Sequence, residues 1–132
     1  MNRVPLLASP GPASRLAAYL SRNQVETRDD HPFPELRTPR SDAGPEAMVR
    51  QLRSAMEALG WEAVAVDGLR VTGEAVTPLL SFRDDVSVEV SPQPGGGSTL
   101  RIRSASRVGR ADFGANLRHV LDLRRSLGMP SG

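Results

Sequence analysis

Two residue types are missing from this 132-residue chain: it has no cysteine and no lysine. Without cysteine there are no disulfides, thiol nucleophiles or thiolate metal sites. Without lysine, all 17 basic side chains are arginine. Arginine stays charged and is not nucleophilic, so Schiff-base chemistry and a phosphate-loop ammonium are excluded. Aromatic residues are scarce, with three Phe, one Tyr and one Trp. None falls where a base-stacking platform would need it, which argues against nucleic acid as a partner. The two histidines, His31 and His119, have no ligand-type neighbours at metal spacing, so no metal or other cofactor is expected. No apolar run approaches the length of a membrane span. Residues 1–20 are interrupted by Pro5, Pro10, Gly11 and Pro12, with no cleavage pattern after them. The expectation is a soluble, cytoplasmic chain that does not engage membrane.

The charge that is present is unevenly placed. Residues 1–100 carry ten Arg against thirteen acids, a balance of −3, and residues 101–132 carry seven Arg against two Asp, a balance of +5. Length bounds the chain to one domain. Residues 1–22 read as a peripheral segment, 23–128 as the packed unit and 129–132 as a tail.

Apolar periodicity gives the elements. Residues 24–28 read as a strand with Val25 and Thr27 on one face. Ser14 is placed to cap a short preceding helix carrying Leu16, Tyr19 and Leu20. Residues 29–44 contain Pro32, Pro34, Pro39 and Gly44 and read as a long surface loop. A helix over 45–59 starts at Pro45, stops at Gly60 and carries a Met48, Leu52, Ala55, Met56, Leu59 stripe. Strands over 61–66 and 69–76 flank an Asp67-Gly68 turn signal. Residues 81–90 alternate strictly: Phe82, Asp84, Val86, Val88 and Val90 on one face, Arg83, Asp85, Ser87 and Glu89 on the other. After the glycine-rich link, residues 100–108 alternate likewise, with Leu100, Ile102, Ser104, Ser106 and Val108 inward. A last helix runs over 112–127, with Phe113, Leu117, Val120, Leu121, Leu123 and Leu127 on a face that also holds Asn116 and Arg124. The order β-α-β-β-β-β-α, with short links between strands, implies a mainly antiparallel sheet. Two amphipathic helices need one sheet face between them, so the fold class is two-layer α+β.

The stretch Phe82-Arg83-Asp84-Asp85-Val86, then Arg103-Ser104-Ala105-Ser106-Arg107-Val108-Gly109 and Asp112-Phe113-Gly114-Ala115-Asn116, resembles the family known as domain of unknown function 1499. The likeness extends more faintly back to Asn23. Many members carry an N-terminal cysteine, and any thiol role there cannot apply to this chain. The resemblance implies no reaction, but it points to Asp84, Asp85, Arg103, Ser104, Ser106, Arg107, Asp112 and Asn116 as positions to explain.

Asp84 is the inward-facing acid in the strand pattern, opposite Ser104 or Ser106. An unmatched buried charge is costly, so it needs donors: the serines, the amides near Gly109, or Arg124. It reads first as a tether between sheet and last helix, and second as a general acid or base. Asp85 points outward and belongs to a charge ladder beside Arg103. Asp112 sits where a helix N-cap belongs. Gly114 in the first turn would let a backbone or ligand approach. His119, at the edge of the apolar face, lacks a partner that the sequence identifies. Arg107 and Arg110 flank a helix N-terminus, where a carboxylate or phosphate is favoured.

Three functions follow as expectations. The first is a small-molecule or anion-binding module, taking an acidic or polar ligand between sheet and C-terminal helix through Arg103, Ser104, Ser106, Arg107, Arg110, Gly114 and Asn116. The second is a metal-independent acid–base enzyme of isomerase or cyclase type, with Asp84 or Asp112 catalytic. The third is nucleic-acid binding through the basic C-terminal third. Composition leaves the oligomeric state open.

Overall fold

A computed structural model describes residues 9–11, 14, 24–76, 83–107 and 113–129. The body of the short N-terminal helix, and the expectations placed on Phe82, Val108, Gly109, Arg110 and Asp112, lie outside the described residues. The elements are β1 (Gln24–Glu26), a 3-10 helix (Pro34–Leu36), β2 (Arg40–Ser41), α1 (Pro45–Ala58), β3 (Glu62–Asp67), β4 (Arg70–Val76), β5 (Arg83–Pro92), β6 (Ser98–Ser106) and α2 (Phe113–Ser126). The sheet runs β1-β6-β5-β4-β3, with β2 also paired to β6, and every pairing is antiparallel. Both helices pack on one face, giving the two-layer α+β fold.

Each layer is set by pattern. Pro45 occupies the first turn of α1, where its missing N–H costs nothing, and Gly60 beyond the helix takes φ +78°. Met48, Leu52, Ala55 and Met56 are buried as one stripe. On β5 and β6 the inward residues Val86, Val88, Val90, Leu100 and Ile102 are buried against the helices. Each such aliphatic side chain contributes about 1.5–3 kcal/mol of burial free energy. The other face of the sheet is charged and open to solvent.

The β5–β6 register places Asp84 opposite Ser106, Asp85 opposite Ala105, Val86 opposite Ser104 and Val90 opposite Leu100. Asp85 therefore lies beside Ala105, not Arg103 as expected. The β3–β4 turn is Gly68 and Leu69, one residue later than expected, because Asp67 still pairs with Arg70. Gly68 takes φ +59° there, a backbone conformation that suits glycine.

The proline-rich run over 29–44 departs most from expectation. It is not a surface loop throughout, because Phe33 and Leu36 are buried in the core and His31 and Glu35 are buried with them. Phe33 meets Phe113 edge-on, with ring centroids 5.5 Å apart. The His31 ring accepts the Phe33 amide at Nδ1, 3.0 Å away. The prolines limit regular structure here to one 3-10 turn and the short β2, but they do not stop Phe33 and Leu36 from reaching the core. The run then forms β2, which carries the β6 ladder back to Ser98, two residues before its expected start. Gly97, with φ +89°, passes so close to β2 that a Cβ would collide with the Ser41 carbonyl.

Candidate functional site

Strand alternation turns Asp84 inward, and the structure leaves it with 0% of its surface exposed. Its partner comes from α2: His119 Nε2 lies 2.8 Å from Asp84 Oδ2. With Asp84 ionised, Nε2–H is the donor, and in the neutral ring Nδ1 then carries the lone pair. The His119 side chain keeps 13% of its surface exposed, and the Trp61 ring stands edge-on to it at a centroid distance of 6.0 Å. One turn further along α2, burial pushes the Asp122 carboxyl above its ordinary value, opposed by the charges of His119, Arg125 and Arg118. His119 thus contacts a fully buried acid, and its charge acts on a partly buried one. The sequence placed His119 at the edge of the apolar face without naming this partner. The available signal was Asp84 itself, an inward acid in need of a donor.

Beside the pair runs a buried polar chain. Ser104 Oγ donates to Asn116 Oδ1 at 2.7 Å, and Asn116 Nδ2 donates to Ser106 Oγ at 3.1 Å. All three residues are buried. The chain fastens the first turns of α2 to β6, next to the position where Ser106 opposes Asp84.

The expected arginines are on the other side of the sheet. Arg103 Nη2 donates to Gln24 Oε1 at 2.7 Å. Arg107 Nη2 donates to Asp85 Oδ1 at 2.6 Å and sits 3.2 Å from Glu74 Oε2. The bond to Asp85, then that to Glu74, raises the Arg107 pKa further. Arg83 joins the same ladder through Glu62 and Glu74, at 2.8 and 2.9 Å. Period-two alternation separates the expected site residues: Asp84, Ser104, Ser106 and Asn116 meet under α2, while Arg103 and Arg107 serve the open face. No described atom lies within 4 Å of where a Cβ on Gly114 would go, so no described backbone approaches it closely.

Arg124, another of the candidate donors, reaches back to the segment before β2. Its Nη1 donates to the Arg37 carbonyl at 3.1 Å. Burial lowers its pKa, and the nearby Glu35 charge opposes that shift. Among the described residues no group of three His, Cys, Asp or Glu could hold a metal ion. None of the described helices is long and apolar enough to cross a membrane.

The sequence matches the family described as "Protein of unknown function (DUF1499)" over residues 13–127. The chain belongs to this family. No curated protein matches it. Among solved structures it is similar to DR_A0006 from Deinococcus radiodurans, at 14% identity and a TM-score of 0.37, covering 80% of this chain and 98% of that one. In this member of the family, Arg103-Ser104-Ala105-Ser106 ends β6 and Arg107 follows it, with the serines under α2 and the arginines on the outer face. One motif thus supplies two separate layers.

Proposed function

We propose that this domain binds a small polar molecule at the end of the sheet where Asp84 and His119 meet, and that the pair exchanges a proton with it. The observation that carries the reading is a fully buried carboxylate 2.8 Å from a ring nitrogen of a partly exposed histidine. Such a carboxylate fixes the orientation of the imidazole and the tautomer of its neutral form. His119 Nδ1 is then the proton-accepting atom, and the cation it forms is balanced by Asp84 behind it. Asp122 adds a second negative charge one turn away. Trp61 supplies an apolar wall, and the Ser104–Asn116–Ser106 chain holds α2, and His119 with it, at a fixed height over the sheet. This is a metal-independent acid–base site of the kind that suits isomerisation or cyclisation of a polar substrate.

The test is an NMR titration of the His119 ring in the intact protein against a panel of hydroxy acids, amides and polyols. Ligands are expected to shift the ring resonances and its titration midpoint. His119→Gln is expected to abolish binding or turnover with the fold retained. A ring whose resonances and midpoint no panel member moves would overturn the proposal and leave the pair a tether.

A further inference from the structure

β1 and β2 share one edge of β6 without meeting: β1 covers Arg103 to Ala105, and β2 covers Ser98 and Thr99. The chain leaves β1 through Thr27, Arg28 and Asp29 and returns through Thr38 to Arg40. A cavity of about 450 Å³ opens between these two runs and β6. That volume lies within the range of small-molecule sites. Its floor is Thr27 and Leu100, whose polar groups are already engaged. Ile102 N donates to Thr27 Oγ1 at 2.9 Å, Thr27 N donates to Ile102 O at 2.9 Å, and Leu100 N donates to Pro39 O at 3.0 Å. Selectivity therefore rests with the walls.

Three guanidinium groups line those walls from three separate segments: Arg28, Arg40 and Arg101. Arg28 pairs with Asp30 at 3.1 Å, Arg40 with Asp29 at 3.4 Å and Arg101 with Glu26. These pairs are largely exposed, and such pairs are weak. An incoming oxyanion can exchange with a carboxylate at little cost, and the planar guanidinium fork fits carboxylate or phosphate with two bonds. Glu26 and Asp29, once released, accept hydrogen bonds from hydroxyl groups, and Thr38 and Thr99 add hydroxyls of their own. None of the described lining residues is aromatic, so a nucleobase has nothing to stack on.

We infer that this cleft is a second ligand site, for a small non-aromatic polyol that carries an oxyanion: a sugar phosphate or a sugar acid. It lies at the split edge of β6, away from His119, and is independent of the proton-exchange site. Calorimetry on the intact protein with glucose 6-phosphate, gluconate, inorganic phosphate and glucose tests it. At least one of the first two is expected to bind, with bare phosphate and glucose roughly ten-fold weaker or worse. Binding of glucose 6-phosphate alone assigns phosphate as the oxyanion, and binding of gluconate alone assigns carboxylate. Arg40→Gln and Arg28→Gln should each weaken binding about ten-fold, the loss of one charge-assisted bond, without lowering the melting temperature. Arg53→Gln on α1 and His119→Gln should leave it unchanged. No binding of either compound, equal binding of bare phosphate, or binding that survives the Arg28→Gln/Arg40→Gln double substitution would overturn the inference.

Discussion

Asp84 and His119 are 35 positions apart in the chain, yet their side chains meet at 2.8 Å and tie β5 to α2. Removing either partner takes away this buried contact between sheet and helix. Asp84→Ala should therefore destabilise the fold by about 1–3 kcal/mol. In a double-mutant cycle with His119→Ala, the two losses should fall well short of adding, as expected for groups in contact. Urea denaturation measures both. Strict additivity would show that the two residues act separately.

Asn116 has a comparable role with neutral groups. It accepts from Ser104 and donates to Ser106, so Asn116→Leu strands two buried hydroxyls at once. A loss of about 1–3 kcal/mol is expected. Replacing both serines by alanine in the Asn116→Leu background should recover part of it, because no unmatched hydroxyl then remains.

Asp122 has the opposite sign. Burial raises its pKa from 3.8, so the folded protein resists its ionisation. An acid with a raised folded pKa gives its full support below its unfolded value and loses it as pH rises through the folded value. Asp122→Asn should thus raise the melting temperature at neutral pH relative to the parent chain. That advantage should shrink as pH falls and vanish below 3.8. An advantage that does not change with pH would point to a cause other than the charge.

Two glycines should respond oppositely to alanine. Gly97 takes a positive φ and has the Ser41 carbonyl where a Cβ would go, so Gly97→Ala should cost more than about 1 kcal/mol. Gly114 is helical, with no described atom within 4 Å of where a Cβ would go, and Gly114→Ala should stabilise by about 0.5–1 kcal/mol. Thermal denaturation of the two variants is the check.

Much of this fold is legible in the residue pattern alone. Strict alternation in residues 83–90 and 100–106 specifies which side chains face the helices, because a one-residue slip would expose every valine of β5. It also identifies Asp84 as the inward acid and sends Arg103 and Arg107 to the opposite face. Grouping those arginines with Ser104 and Ser106 as one ligand site ignores that same alternation. His119 is harder to place, because its partner is far along the chain and the helical wheel puts the ring at the margin of the apolar stripe. Least legible is the run that buries Phe33 and Leu36. Its prolines remove any periodicity, so nothing local marks those two residues as core.

The shared edge of β6 has a consequence for how the protein is made. Gln24 pairs with Ala105, and Arg40 with Thr99, so the first two strands have no sheet to join until the sixth exists. On the ribosome, residues 24–41 wait through synthesis of most of the domain, while α1 and the β3–β4 hairpin close from local contacts. Pairings this distant in sequence favour slow folding. The rate-limiting event should be capture of the early segment by β6, and a chain truncated before residue 98 would leave Val25, Phe33 and Leu36 without the β6 and α2 side chains of their shared core.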